Sequence, residues 1–268
     1  MSSRAYEDVI KMLTSMKLST MRDDLDDCLR SASANELSHL EFLRNILTVE
    51  QKGRDESGLR RRLHSAHIPV ARSIEEFDFS FQTSVKKARV VNLAECRWLG
   101  GAVNLLFEGP PGVGKTHLAI GLAMKALEKG YRVRFFCAQD LMQDMYVQAA
   151  AGQLNRFVMR LLKNDLLVID EFAYLPLDAH AGNCLYQIVS QAYERVSIVI
   201  TSNKAVDAWG DMFQDQSITC SILDRFLHHC EVFKMKGDSY RLKGPKTRLD
   251  PSDVQPDQAT HRTDGEAT

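Results

Sequence analysis

The spacing of hydrophobic residues changes near residue 100 of this chain. Before that point apolar side chains recur every three or four positions, which predicts helices, and residues 1–66 show no alternation typical of a half-buried strand. Beyond it, short apolar runs of strand length alternate with helical patterns. The pattern therefore predicts an α/β fold with a parallel sheet wrapped on both faces, preceded by a small all-α domain.

Five apolar runs are the expected strands of this sheet. They cover residues 103–107, 133–137, 165–170, 197–201 and 231–236. In the helical part, Ser38 and Glu41 have the spacing of a capping box, which predicts a helix that begins there and ends near Glu50. A further helix is expected over residues 83–99, before the first strand.

Changes in composition divide the chain into four segments. Residues 1–66 are expected to form the helical N-terminal domain, residues 67–82 a linker packed against the next domain, and residues 83–243 the nucleotide-binding domain. The final segment, residues 244–268, is rich in Pro, Asp, Gln and Thr and poor in apolar side chains, so disorder is expected there.

Composition and charge limit the class of protein without revealing its chemistry. Of the 268 residues, 44% are hydrophobic and 26% are charged, as in ordinary globular proteins, and the formal net charge is -1. DNA binding would therefore require a local basic patch. Six cysteines without a C-x-x-C pair argue against a zinc site and favour free thiols in a reducing cytoplasm. We expect neither a signal peptide nor contact with a membrane.

The strongest chemical signal is GPPGVGKT, which stands between the first expected strand and a helix. Its G-x-x-x-x-G-K-[ST] spacing is typical of a loop that binds the phosphates of ATP through main-chain N–H groups, and the alternative of a ligand-free glycine turn is disfavoured. Lys115 would reach the β- and γ-phosphates, and the Thr116 hydroxyl would bind Mg²⁺. The expected nucleotide contacts are Gly109, Pro110, Pro111, Gly112, Val113, Gly114, Lys115, Thr116 and His117.

Further candidate residues follow the later strands. Asp170 and Glu171 end an apolar run, where Asp170 is expected to hold Mg²⁺ and Glu171 to orient the attacking water. Asn203, after the next strand, is a candidate contact for the γ-phosphate or that water, or else a turn residue. Arg225 would neutralise charge on the γ-phosphate bound by a neighbouring subunit, or else form an ion pair within the chain. Arg241 is a weaker candidate for a phosphate contact.

A basic stretch precedes the phosphate loop. Its consecutive residues Arg60, Arg61 and Arg62 fan around a helix, so they cannot all pair with one row of carboxylates. They are candidates for contact with nucleic-acid phosphates, or else they form a solvated face that nearby acids partly neutralise. Elsewhere, His228 and His229 are adjacent, but no further ligand is spaced to join them in a metal site. Surface or packing roles are therefore favoured for these two histidines.

Together these motifs resemble those of the IstB-like ATPases, which are ATP-binding helper proteins encoded beside the transposase of certain bacterial insertion sequences. The resemblance rests on GPPGVGKTHLAIGLA, LLVIDEFAYLP, ITSN and ILDRFLHH, and it covers residues 5–243. It implies a core of the AAA+ class with the sheet order 5-1-4-3-2, in a protein of the bacterial cytoplasm. It also implies homo-oligomeric rings or spirals, in which Arg225 of one subunit reaches the site of the next.

The resemblance further implies partners. The assembly is expected to bind duplex DNA without sequence preference, to recruit and stimulate its transposase, and to be released by ATP hydrolysis; Arg60, Arg61, Arg62, Lys86 and Lys87 would contact the DNA. Helicase loaders of the DnaC type have a similar core, so a loader switched by ATP is the alternative function. These loaders tend to have a second arginine where this chain has a serine, at position 221, which favours the transposition role. A small-molecule kinase is disfavoured by the adjacent acidic pair.

Overall fold

The computed structural model describes residues 3–172, 179–212 and 215–242, so the expected disordered tail lies outside the described residues. The helices are α1 (Ser3–Ser15), α2 (Ser19–Asp23), α3 (Leu25–Ala34), α4 (His39–Ala66), α5 (Lys87–Ala94), α6 (Lys115–Glu128), α7 (Ala138–Ala150), α8 (Leu154–Leu161), α9 (Ala179–Ala192) and α10 (Gln216–His228). The strands are β1 (Asn104–Glu108), β2 (Val133–Cys137), β3 (Leu166–Phe172), β4 (Ser197–Ser202) and β5 (Cys230–Lys234). None of the described helices combines the length and the apolarity needed to cross a membrane.

The strands form one parallel sheet in the order β2-β3-β4-β1-β5. The predicted α/β class is confirmed, and so is the order 5-1-4-3-2 that the family resemblance implied. Because all strands run the same way, their carboxyl ends meet at one edge of the sheet. The segments that follow β1, β3 and β4 are thereby brought together.

Both faces of the sheet are covered by helices, which explains why the strands are continuous apolar runs. Leu106, Ile169 and Ile200 face a core completed by α7, α8, α9 and α10. Phe107 and Val168 face the opposite core, which α5, α6 and the end of α4 complete. This packing holds the carboxyl edge of the sheet rigidly in place.

A third, smaller core joins α1, α2, α3 and α4. Within it the Glu50 carboxylate is only 5% exposed and accepts hydrogen bonds from the Met21 N–H (2.9 Å) and from Arg54 Nε (2.8 Å). Burial acts to raise the pKa of Glu50, but these two hydrogen bonds, the positive charge of Arg54 and a further main-chain hydrogen bond from Thr20 together outweigh burial and hold the pKa below its ordinary value. The apolar members of this core are Leu13, Met21, Leu25 and Ile46.

Helix α4 is longer than its sequence pattern indicates. It begins at the predicted capping box, in which Ser38 Oγ accepts from the Glu41 N–H and the Glu41 carboxylate accepts from the Ser38 N–H. The prediction that the helix ends near Glu50 is wrong, since it continues to Ala66. Leu59, Leu63 and Ala66 form a narrow apolar stripe among the charged residues and pack into the core beside α6.

The segment between α4 and β1 also differs from prediction. The helix expected over residues 83–99 is confined to α5, because Cys96 takes a φ of 59°, and a 3-10 turn (Arg97–Gly101) follows. The expected linker lies against the nucleotide-binding core: Ile74 is 5% exposed and approaches α6 so closely that a Cβ at Gly121 would lie 2.8 Å from it. The domain boundaries at 66 and 82 remain predictions.

Candidate functional site

A cavity of about 610 Å³ opens at the carboxyl edge of the sheet. Its volume falls in the range of small-molecule and cofactor pockets. The phosphate loop, the ends of β3 and β4, the segment before α5 and the segment after β5 enclose it. Of the predicted site residues, the cavity is lined by Pro111, Gly112, Val113, Gly114, Lys115, Thr116, His117, Glu171 and Asn203.

Two glycines of the phosphate loop are required by its close packing. Gly112 and Gly114 have φ angles of 81° and 96°, which side-chain-bearing residues rarely adopt. A Cβ at Gly112 would lie 1.9 Å from Ser239 Oγ, and one at Gly114 would lie 2.6 Å from the Phe77 ring. The loop is therefore a tight turn that leads into the N-terminus of α6, where main-chain N–H groups are left for an anion.

The Lys115 ammonium lies inside the loop. Its Nζ donates to the carbonyl oxygens of Gly109 and Pro110, at 2.7 Å each. Burial lowers the pKa of Lys115; the charge of Asp170 opposes this shift, and the nearby Arg241 guanidinium adds to it. Two neutral carbonyls are weak partners for a half-buried cation, so a phosphate that entered the loop would be the better one.

The two acids at the end of β3 point to different surroundings. Asp170 is 7% exposed, and its Oδ1 accepts from Thr116 Oγ1 (2.8 Å) and from Thr201 Oγ1 (2.5 Å). Glu171 lines the cavity, has a φ of 57°, and donates its main-chain N–H to Thr201 Oγ1 (3.0 Å). One threonine on β4 thus holds both acids, whereas the sequence pattern indicated only Asn203 in the ITSN run.

Asn203 carries an unsatisfied polar atom. Its Oδ1 is buried, and it has no hydrogen-bond partner within the described part of the chain. Buried polar atoms are nearly always paired, so an orphan in a cavity lining indicates a missing ligand or water. This position at the end of β4, opposite the phosphate loop, favours a contact with the attacking water, which can donate to the amide oxygen, over the turn-residue interpretation.

An aromatic wall closes the cavity, and the sequence had not indicated it. Phe81 and Tyr240 meet edge to face with ring centroids 5.3 Å apart, and Phe77 meets the His117 ring in the same way, also at 5.3 Å. The Tyr240 N–H donates to the Gly112 carbonyl (3.0 Å), which ties the segment after β5 to the loop. The run FDFSF in the expected linker was the available signal.

Two arginines that also line the cavity add positive charge to it. They are Arg72 and Arg241, of which only Arg241 was a sequence candidate for a phosphate contact.

Arg225 is not brought to this cavity. Its Nη1 donates to the Ser221 carbonyl (3.1 Å), and its guanidinium lies 5.2 Å from the centre of the Tyr186 ring. The next residue, Phe226, accepts from Asn104 Nδ2 (2.8 Å) at the start of β1. This part of α10 therefore lies at the amino edge of the sheet, opposite the cavity.

The basic stretch divides between surface and interior. Arg60 and Arg61 are exposed on α4, as are Lys86 and Lys87 beside α5. Arg62 is partly buried, and its Nε donates to the Leu127 carbonyl at the end of α6 (3.0 Å). Arg62 is thus engaged in holding α4 against the core.

Comparison with known proteins agrees with this geometry. The family described as IstB-like ATP binding protein matches residues 11–248. Two insertion-sequence proteins that are named for ATP binding are each 36% identical to this chain. The protein of IS21 from Pseudomonas aeruginosa matches 87% of this chain and 88% of its own length. The protein of IS5376 from Geobacillus stearothermophilus matches 79% of this chain and 84% of its own length. A solved structure of the replication initiator DnaA bound to AMPPCP and single-stranded DNA is similar with a TM-score of 0.52 and 25% identity, over 64% of this chain and 52% of that one. The fold expected of an AAA+ P-loop domain is thereby confirmed.

Proposed function

Since the chain belongs to the IstB-like ATP-binding proteins of insertion sequences, we propose that it hydrolyses ATP and that its ATP-bound form assembles on duplex DNA and recruits a transposase. The proposal of ATP hydrolysis rests on one observation: four features lie together at the carboxyl edge of the sheet. These are the phosphate loop, Asp170, Glu171 and the unpartnered oxygen of Asn203. The bacterial cytoplasm is the proposed location, in keeping with six free thiols.

The loop and the first acid bind the nucleotide in this proposal. Main-chain N–H groups of residues 112–116 receive the phosphates, and Lys115 exchanges its two carbonyl partners for phosphate oxygens. The Thr116 hydroxyl and the Asp170 carboxylate fit a Mg²⁺ ion, because both offer oxygen and already stand 2.8 Å apart. Bound there, Mg²⁺ would neutralise charge on the β- and γ-phosphate oxygens. The aromatic wall of Phe77, Phe81 and Tyr240 would accept the base.

Glu171 is the general base in this proposal. Its carboxylate faces the cavity and accepts a proton from the attacking water as that water bonds to the γ-phosphorus and the bond to the ADP oxygen breaks. The hydrogen bond from its N–H to Thr201 holds it in an unusual backbone conformation, which aims the side chain. Asn203 completes the water's hydrogen bonds from β4.

Substitution of Glu171 tests the enzymatic part. We expect Glu171→Gln to bind ATP with unchanged affinity and to release phosphate about 10²-fold or more slowly, because the general base is lost. Lys115→Ala should lose ATP binding itself. Glu56→Gln, an exposed acid on α4, is the matched control and should behave as the wild type. Normal turnover by Glu171→Gln would overturn the role given to this residue.

Arg225 is proposed to act on a neighbouring subunit, since it lies at the sheet edge opposite its own cavity. Mixing two inactive variants tests this idea. Arg225→Ala keeps an intact site, and Glu171→Gln keeps an intact Arg225, so mixed assemblies should regain part of the ATPase activity that neither variant has alone. Failure of the mixture to regain activity, with assembly intact, would assign Arg225 to packing within its own subunit.

Contact with DNA is proposed for the exposed cations Arg60, Arg61, Lys86 and Lys87. The test is duplex binding with ATP, with ADP and without nucleotide, watched by electron microscopy at fixed salt. ATP-dependent rings or spirals on DNA are expected. Removing each contact should flatten the slope of log affinity against log salt by about one unit. Absence of binding in all three nucleotide states would refute a DNA-based role. Recruitment is tested separately, by asking whether the DNA-bound form captures the transposase.

A further inference from the structure

Three metal-ligating side chains meet on the surface, away from the nucleotide cavity. Glu194 follows α9, and His228 and His229 lie at the end of α10, with one ligand atom of each within 4.8 Å of the others. All three side chains are exposed to solvent. The two histidines alone were a poor metal candidate in the sequence because no third ligand was spaced near them. The packing of α9 on α10 supplies that ligand.

The distances suit coordination of one ion. Glu194 Oε1 and His229 Nε2 are 3.7 Å apart, and the centroids of the two imidazole rings are 4.2 Å apart. Two ligand atoms that share a tetrahedral zinc at about 2.0–2.1 Å stand about 3.3 Å from each other. A shift of a few tenths of an ångström, which exposed side chains make freely, would therefore place the carboxylate and the imidazole in one coordination shell.

A tyrosine also prepares the cluster for a cation. Tyr193 Oη lies 2.9 Å from His228 Nδ1, a contact that orients the imidazole and, with the proton on Nδ1, leaves Nε2 free as a ligand.

We propose that Glu194, His228 and His229 bind one divalent transition-metal ion of the zinc type, with water completing the coordination. Two imidazoles and one carboxylate favour such an ion over Mg²⁺ and Ca²⁺, which prefer oxygen ligands alone. Cys230 follows in sequence, but its side chain packs against the core of the sheet and is not among the three ligand groups that meet here.

The experiment is a titration of the nucleotide-free, full-length protein with Co²⁺, followed by visible absorption, and with Zn²⁺, followed by calorimetry. We expect one equivalent bound with nitrogen and oxygen ligands, hence without the near-ultraviolet thiolate band of cobalt. His228→Ala/His229→Ala should lose this equivalent, and Glu194→Gln should bind more weakly. Tyr193→Phe should weaken binding by about 10-fold or more, since it removes only the outer contact.

Matched controls separate this site from other histidines and from the thiols. His64→Ala/His67→Ala removes two exposed histidines near the end of α4 and should leave the equivalent in place. The metal should raise the melting temperature of the wild type and of this control, and should leave that of the His228/His229 variant unchanged. Equal metal uptake by the His228/His229 variant and the wild type, or a thiolate band in both, would overturn the proposal. Unchanged affinity in Glu194→Gln would remove Glu194 from the site.

Discussion

Replacing Thr201 by valine tests how the acids at the end of β3 are positioned. Thr201 is 1% exposed, and its hydroxyl donates to Asp170 Oδ1 (2.5 Å) while accepting from the Glu171 N–H (3.0 Å). Valine has nearly the same shape, so the substitution removes these two hydrogen bonds without leaving a cavity. It leaves the partly buried Glu171 N–H without its partner.

The magnitude follows from the two bonds. A hydrogen bond to a charged group contributes about 1.5–3 kcal/mol and a neutral one about 0.5–1.5 kcal/mol, so Thr201→Val should lower the free energy of unfolding by roughly 2–4.5 kcal/mol. For a protein of this size each kcal/mol corresponds to about 2–4 °C in melting temperature. Because Glu171 loses the bond that holds its unusual φ, a displacement of about 1 Å should slow hydrolysis by up to about 10²-fold.

Two assays separate these effects. Thermal unfolding measures the loss of stability, and phosphate release at saturating ATP measures hydrolysis, while a fluorescent ATP analogue should still bind. Thr219→Val is the matched control, because Thr219 is similarly buried and its hydroxyl donates to the main-chain carbonyl of Asp215, the N-cap of α10, rather than to either acid. Wild-type turnover by Thr201→Val, at a temperature where it is fully folded, would refute the idea that this threonine positions the catalytic acid.

Three other variants probe the surroundings of the site. Gly114→Ala should weaken ATP binding by about tenfold or more, because its Cβ would meet the Phe77 ring and its φ would be strained; equilibrium binding measures this. Arg62→Ala should cost about 1 kcal/mol in urea unfolding but leave DNA affinity unchanged, since the side chain bonds within the fold. The hydrogen bond from Lys125 lowers the pKa of Glu75 from 4.5 to about 2. The stabilisation is therefore complete above pH 4.5 and is lost as the pH falls towards 2, so Glu75→Gln should flatten the dependence of stability on pH in that window.

Local patterns were sufficient for the parts of the site that lie along one strand and its following turn. A single strand–loop–helix unit contains the phosphate loop, Lys115 and Thr116, and its motif is contiguous in the sequence. The Asp170-Glu171 pair could likewise be placed at the carboxyl edge, because a buried strand leads directly into it. Even here the backbone detail differed: β3 continues to Phe172 with an irregularity in its pairing, and Glu171 takes a positive φ.

The sequence does not show which of several identical charged side chains faces solvent. Nothing local distinguishes Arg62 from Arg61, yet one bonds to the end of α6 and the other faces solvent. The same limitation shortened the predicted α4, since the apolar stripe of its second half consists of only three residues in a single row, among charged neighbours.

The class of fold and the identity of the phosphate loop can be predicted from the chain alone, because both depend on periodicity and on spacing between near neighbours. Which distant residues share a site depends instead on the packing of the folded protein. It brought Thr201 to the two acids, the aromatic run before α5 to the phosphate loop, and Glu194 to the paired histidines. It also placed Arg225 at the opposite edge of the sheet. Contacts of this kind join residues that are far apart in sequence. They depend on how helices and strands pack, so a local sequence pattern does not predict them.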